Sequence, residues 1–219
     1  MKGTSVADRD GALRELVNAI LAGDTATVCR LLAASPELAR ASFHTGASRQ
    51  DAKTYFLVQV ARYVYAGDTA MHFAAAGYKP EIVRELIAAG ANVRAKNRFG
   101  DEPLHAAAVG SPGSHFWNPA AQVAAIECLI EAGADPNAAD KREVTPLHKA
   151  VRTRCAAAVR ALLQHGADPA RKNKSGSPPI LLAKLNTGRG GTGLPEAKAQ
   201  QQEIVKLLEE SIDDLPADN

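Results

Sequence analysis

Apolar residues recur at helical spacing in four similar stretches: EIVRELIAAGAN, AIECLIEAGADP, AVRALLQHGADP and EIVKLLEES. Each puts its aliphatic residues on one face, so each predicts an amphipathic helix. Upstream of each lies a shorter apolar run. TAMHFAAAG begins at Thr69, EPLHAAAVG at Glu102, TPLHKAVRT at Thr145 and PPILLAKLN at Pro178, at spacings of 33, 43 and 33 residues. Two helical patterns and a Gly-Ala-Asp/Asn turn therefore recur together, and such periods mark a repeat architecture.

The unit at 140–172 carries the physical reasons most plainly. Thr145 offers a hydroxyl to the orphan N–H groups of a helix N-terminus. Pro146 follows at the first helical position, where no N–H is needed. Leu147, Ala150 and Val151 give this short helix an apolar face, and Ala158, Val159, Leu162 and Leu163 do the same for a second helix. Gly166 stands where that helix should end in a left-handed residue. Neither helix can bury its face alone, but stacked copies can.

The TPLH runs, the GAD turns and the period of 33 together resemble the ankyrin repeat, over roughly residues 64–211. The resemblance implies an all-α solenoid of paired antiparallel helices with β-hairpin-like fingers between units. It divides the chain into an N-terminal cap repeat at 11–40, an insertion at 41–63, repeats at 64–96, 97–139 and 140–172, a C-terminal cap repeat at 173–211 and a tail at 212–219, all in one domain. The first unit, LRELVNAILAGDTATVCRLLAASPELA, has both helices but no TPLH. Atypical end units are expected as caps.

Several positions depart from the pattern. Glu143 replaces a usual glycine, Glu102 replaces the capping threonine, and Pro178 and Leu181 replace the Thr and His of the last unit. Three insertions interrupt the period. In 41–63, Ser48 and Asp51 read as a capping box. That predicts a helix from about Arg49 to Ala61 with Phe56, Val60 and Tyr63 on one side. The 111–120 insertion ends in Asn118 and Pro119, which restart a helix as cap and first residue. The 186–197 insertion contains TGRGGTG, where Gly188, Gly190 and Gly193 match a dinucleotide-binding fingerprint. That fingerprint needs a strand before it and a helix N-terminus after it. A helix pattern precedes this one, so it reads as a helix–helix connection.

Composition narrows the class further. The chain has 219 residues, 46% hydrophobic and 5% aromatic, with net charge +2. That charge is too small to argue by itself for nucleic acid or a membrane surface. Three cysteines without a C-x-x-C pair argue against a disulfide framework or a zinc site. No apolar stretch reaches membrane-spanning length. The expectation is a cytoplasmic monomer.

Candidate chemistry is sparse. His72, His105 and His148 recur in register, and the resemblance implies that each braces its own turn rather than ligating a metal. Cys155 follows Arg152 and Arg154, but no nucleophile–base–acid arrangement is visible. Asp68, Asp101 and Glu102 read as turn residues near helix N-termini. No catalytic residue, cofactor or metal is expected. The fingers read RAKNRFGD, ADKREV and RKNKSG. They place Lys96 and Arg98, Lys141 and Arg142, and Lys172 and Lys174 at similar points, with Arg152 nearby. These cations are either solvated turn residues or a stripe that attracts an acidic partner. Trp117 is either folded over helix ends or presented as an anchor.

The expected function is non-enzymatic recognition of a protein partner by finger tips and a concave face. The expected contacts are Tyr65, Asp68, Lys96, Arg98, Phe99, Asp101, Trp117, Lys141, Arg142, Val144, Arg152, Thr153, Lys172 and Lys174. The alternatives are a nucleotide or nucleic-acid binder that stacks bases on Tyr65, Phe99 or Trp117, and an enzyme built on the insertions.

Overall fold

The computed structural model describes residues 6–112, 117–185 and 195–213. Ten helices are seen among them: α1 (Val6–Ala22), α2 (Thr25–Ala34), α3 (Ala70–Ala76), α4 (Pro80–Ala88), α5 (Pro103–Ala108), α6 (Pro119–Glu131), α7 (Pro146–Arg152), α8 (Ala156–Gln164), α9 (Pro179–Lys184) and α10 (Pro195–Asp213). The odd-numbered helices pack side by side in one row, each against the next. The even-numbered helices form a second row behind them. Each unit is a helical hairpin with one member in each row, as the sequence repeat requires.

The chemistry of the first row explains how closely it packs. Every residue of α5 and Ala70 to Ala75 of α3 are buried, and most of them are small. Alanine lets helix backbones approach closely, and larger side chains such as Leu104, Leu147, Phe73 and Met71 fill what remains. The second-row helices turn Ile82, Val83 and Leu86, then Ile126 and Leu129, then Val159 and Leu162 inward. Fully burying each such side chain contributes about 1.5–3 kcal/mol.

The caps follow the sequence reading. Thr145 accepts from the His148 amide at 3.4 Å, and Pro146 opens α7. Asn118 caps α6 by accepting from the Ala121 amide at 3.0 Å, with Pro119 following. Gly166 has φ +83° and closes the end of α8. Glu102 keeps the capping box that threonine makes elsewhere, so its cost lies in its burial. Pro178 offers no side-chain cap and Leu181 is exposed, so the last unit lacks the box.

The 41–63 segment departs from expectation. No α-helix forms there. Two 3-10 turns, Ala52–Tyr55 and Val58–Val60, alternate with a two-stranded hairpin in which β1 (Phe56–Leu57) pairs antiparallel with β2 (Arg62–Tyr63). Ser48 accepts from the Gln50 and Asp51 amides at 3.2 Å, which closes a local turn rather than capping a helix. Ala61 then takes φ +45°, which turns the chain back into β2.

The insertion is also shorter than 41–63 at its start. The Phe43 amide donates to Asp68 O at 2.9 Å, the Gly67 amide donates to Phe43 O at 2.8 Å, and Ser42 bridges Thr69. Phe43 is buried and meets Phe73 edge-on at 5.9 Å. Residues 42–47 thus act as the finger of the first unit. At Gly46 a Cβ would lie 2.6 Å from the Ala66 amide nitrogen, so only glycine permits this approach. The first and last helices span Val6–Ala22 and Pro195–Asp213. TGRGGTG and residues 113–116 lie outside the described residues.

Candidate functional site

Each finger is built on one Asn or Asp. The Asn97 amide donates to Asp101 O at 3.0 Å, while Asn97 Oδ1 accepts from the Phe99 and Asp101 amides at 2.9 and 3.1 Å. Asp140 does the same with Val144 O, the Arg142 amide and the Val144 amide. Asn173 repeats it with Ser177 O, the Ser175 amide and the Ser177 amide. Each tip therefore carries its own internal scaffold. These three residues keep the spacing of the helical units, and that is the signal by which the sequence could have identified them.

Successive tips are joined by single backbone bonds. The Arg98 amide donates to Ala66 O at 2.8 Å, the Lys141 amide to Phe99 O at 2.9 Å, and the Lys174 amide to Arg142 O at 2.9 Å. This ladder fixes the register. Tyr65, Arg98, Lys141 and Lys174 occupy one row, and Ala66, Phe99, Arg142 and Ser175 the next. Arg98, Lys141 and Lys174 therefore match. Arg142 instead matches Phe99, and Lys96 matches Lys172 with Ala139 between them.

The following column is Gly67, Gly100, Glu143 and Gly176, with φ of +84°, +84°, +58° and +75°. A left-handed conformation costs a residue with a Cβ roughly 1–2 kcal/mol. Glu143 bears that cost where the other three units use glycine.

Buried acids anchor the row from below. Asp68 is fully buried. Its Oδ1 accepts from Arg62 Nη2 and Asn97 Nδ2, both at 2.9 Å, and its Oδ2 accepts from the Tyr65 amide at 2.8 Å. Arg62 comes from β2, so this contact ties the insertion to the stack. Asp101, one unit on, receives Lys149 Nζ at 2.8 and 3.0 Å. Burial pushes the Asp101 carboxyl up, but the charge and hydrogen bond of Lys149, with His105 and Arg62 nearby, together hold the group below its ordinary value. Burial raises the Glu102 carboxyl against the pull of Arg94 and Lys96, the latter 3.7 Å away.

The three histidines join neighbouring units. The Thr69 amide donates to His72 Nδ1 at 3.1 Å, so the ring proton sits on Nε2 and is donated to Asp101 O at 3.0 Å. His105 links the Glu102 amide to Val144 O, and His148 links the Thr145 amide to Ser177 O. Each ring thus braces its own cap, as the resemblance implies, and also holds the base of the next finger. Burial lowers all three below the ordinary 6.5, His105 to about 4. Among the described residues no three His, Cys, Asp or Glu side chains are grouped to hold a metal.

Aromatic residues extend the row toward the insertion hairpin. The Phe56 and Tyr63 rings lie 4.9 Å apart, Tyr63 and Tyr65 6.3 Å, and Tyr65 and Phe99 4.7 Å at a right angle. The Arg98 guanidinium lies 5.0 Å from the Tyr65 ring centre and 4.6 Å from that of Phe99. Phe56, Tyr63 and Phe99 remain 37–41% exposed. Sequence reasoning missed Phe56 and Tyr63 here because it placed them on a helix.

The other expected contacts divide by burial. Lys96, Arg98, Lys141, Arg142, Arg152, Lys172 and Lys174 are exposed. Val144, Asp68 and Asp101 are buried and serve the framework instead. Thr153 accepts from the Gly110 amide at 3.2 Å and donates to Lys149 O at 2.9 Å, so its hydroxyl is engaged. Trp117 folds back. Its Nε1 donates to Gln122 Oε1 at 2.8 Å, and Gln122 Nε2 in turn donates to Ala107 O. Cys155 is fully buried, and burial pushes its thiol up to about 11 against hydrogen bonds from Thr153, Gln122 and the Gly110 amide.

No described helix is long and apolar enough to cross a membrane. Family models described as "Ankyrin repeats (3 copies)", "Ankyrin repeat" and "Ankyrin repeats (many copies)" match residues 16–115, 99–141 and 129–183. The chain is 31% identical over 163 residues to "E3 ubiquitin-protein ligase KEG" of Arabidopsis thaliana, a match covering 69% of this chain and 9% of that protein. It is 41% identical over 88 residues to "Cyclin-dependent kinase 4 inhibitor B" of Mus musculus, covering 40% and 59%. A third relative, "Ankyrin repeat and SOCS box protein 16" of Mus musculus, is 37% identical over 117 residues, covering 52% and 25%. The chain thus spans less than two thirds of each of these relatives. With matched repeats from residue 16 to residue 183 and the two-row helical stack they require, the chain belongs to the ankyrin repeat family.

Proposed function

We propose that this chain is a non-enzymatic protein-recognition module. Its finger edge takes a partner segment that carries both acidic and apolar side chains. One observation supports this above the rest. Exposed cations at Arg98, Lys141 and Lys174 stand in register, and the same row continues through half-buried Tyr65 into the exposed aromatics Tyr63 and Phe56. Aromatic and arginine side chains dominate binding hot spots. A framework already held by Asn97, Asp140 and Asn173 loses little ordering entropy on binding. Membership of a family whose relatives include one named for inhibiting a kinase is in keeping with recognition rather than catalysis. The mechanism needs no cofactor.

The test is association kinetics with the partner recovered from the native host. Arg98→Glu with Lys141→Glu and Lys174→Glu should leave the thermal midpoint nearly unchanged, because exposed charges add little to stability. The same changes should slow association by roughly tenfold or more at low salt. Equal association rates for the native and reversed proteins would remove the finger edge from the interface. A logarithmic salt slope of several units, with nucleic acid as the captured species, would favour nucleic acid instead.

A further inference from the structure

A second candidate site lies at the opposite end of the helical hairpins, in the turns between first and second helices. In three units the corresponding turn position is left-handed: Gly23 at φ +74°, Tyr78 at φ +51° and Arg154 at φ +58°. Tyr78 and Arg154 each face a unit whose first helix ends early, at Val109 and Leu185, with nearly the same backbone angles at both ends. Tyr78 uses that geometry fully, since its hydroxyl donates to Val109 O at 2.5 Å. Arg154 does not. It is only 3% exposed, yet among the described residues its side chain makes no hydrogen bond and has no carboxylate within 4 Å. Its Nη1 is buried without a partner. A buried guanidinium without an acceptor is costly.

Arg154 lines a hollow of about 260 Å³ between α7, α9 and α10. The other walls include Arg152, Leu182, Leu185, Gln201 and Ile204. Gln201 is held in place by donating from Nε2 to Ala183 O at 2.7 Å. The hollow thus combines a fixed amide, two guanidinium groups and aliphatic walls. Guanidinium forks match carboxylates bidentately. The volume lies just below the usual range for small-molecule sites, which suits a ligand of about one residue.

We infer that the hollow beside Arg154 binds an organic carboxylate with a short aliphatic body, the group found on a small organic acid or at the C-terminus of a peptide ending in an aliphatic residue. The carboxylate pairs with Arg154, Arg152 adds long-range attraction, and the aliphatic part lies against Leu182, Leu185 and Ile204. This inference stands apart from the finger edge and does not depend on it.

The probe is N-acetyl-leucine, titrated into the full chain with thermal melting and amide NMR as readouts. Saturating probe should raise the midpoint by about 5 °C, as expected for a ligand held at roughly a hundred times its Kd. It should also shift the amides of Leu182, Leu185 and Gln201. N-acetyl-leucinamide, which lacks the charge, should bind at least tenfold more weakly. Arg154→Gly keeps the turn, because glycine accepts this φ and Gly23 already holds the matching position, so the variant should fold and lose the response. A tripeptide ending in leucine, tested with free and amidated termini, separates the two sources. Binding of the free-terminus peptide points to a partner's C-terminus, whereas binding of N-acetyl-leucine alone points to a small acid. The inference is overturned if the native chain ignores N-acetyl-leucine, if the amide binds equally, if only inorganic phosphate binds, or if folded Arg154→Gly binds as the native chain does.

Discussion

Acid should weaken this stack through its histidines, and His105 gives the magnitude. The ring is 1% exposed, accepts from the Glu102 amide and donates to Val144 O. Protonating Nδ1 would set two N–H groups against each other in a buried site. Burial accordingly holds its pKa near 4, against 6.5 unfolded. Above pH 6.5 both states are neutral and the native bonds count in full. As pH falls from 6.5 toward 4 the unfolded chain takes up the proton first, so stability is lost across that window and levels off below it. The difference is worth about 3 kcal/mol in full and about 2 kcal/mol by pH 5. His72 and His148 act in the same direction. Glu102, raised by burial, opposes them just above its ordinary 4.5, and Asp101, lowered, enters only below 3.8. Urea unfolding at pH 7.5 and pH 5 should show the loss, with a midpoint on heating lower by roughly 4–8 °C. His105→Gln should start less stable and show a shallower loss. A free energy that stays flat between these pH values, or an undiminished slope in His105→Gln, would refute the argument.

Other expected outcomes concern backbone, thiols and ion pairing. Gly176→Ala meets open space and should cost only the left-handed strain of about 1 kcal/mol. Gly67→Ala should cost clearly more in the same denaturation assay, because its Cβ would lie 2.8 Å from Asn97 Cα. Gly166→Val, also in open space at φ +83°, should lose about 2 kcal/mol in a thermal melt. In native-state thiol labelling followed by mass spectrometry, half-exposed Cys29 should react first, and buried Cys155 only as fast as the chain opens. Lys149→Met should strand Asp101 and cost about 2–4 kcal/mol by urea unfolding, whereas Lys149→Arg should recover most of it.

The helical repeat was readable because its causes are local. Thr145 and Pro146 declare a helix start, Gly166 declares an end, and the aliphatic spacing declares the buried face. The 41–63 segment misled because Ser48 and Asp51 form the same short bonds in an isolated turn as in a capping box. Nothing local distinguishes the two. Phe43 was missed as core because its burial depends on Phe73, thirty residues on. The basic row was readable in outline, but its register depends on the backbone bonds from Arg98, Lys141 and Lys174, which set Arg142 level with Phe99 and Ala139 level with Lys96 and Lys172. Asp68 and Asp101 look like surface turn residues in sequence. Only Arg62 and Lys149, brought from other elements, show why they are buried. Trp117 turned inward because Gln122 offered its indole an acceptor.

Site-specific photo-crosslinking in the native host tests the central claim most directly. A photoreactive side chain would replace Phe99 or Lys141 on the finger edge, and Lys206 on the exposed side of α10 as a control. The account predicts protein adducts from positions 99 and 141, with the crosslink mapping to a partner segment rich in Asp or Glu, and none from position 206. Adducts confined to position 206, or nucleic acid as the species captured at 99 and 141, would contradict it.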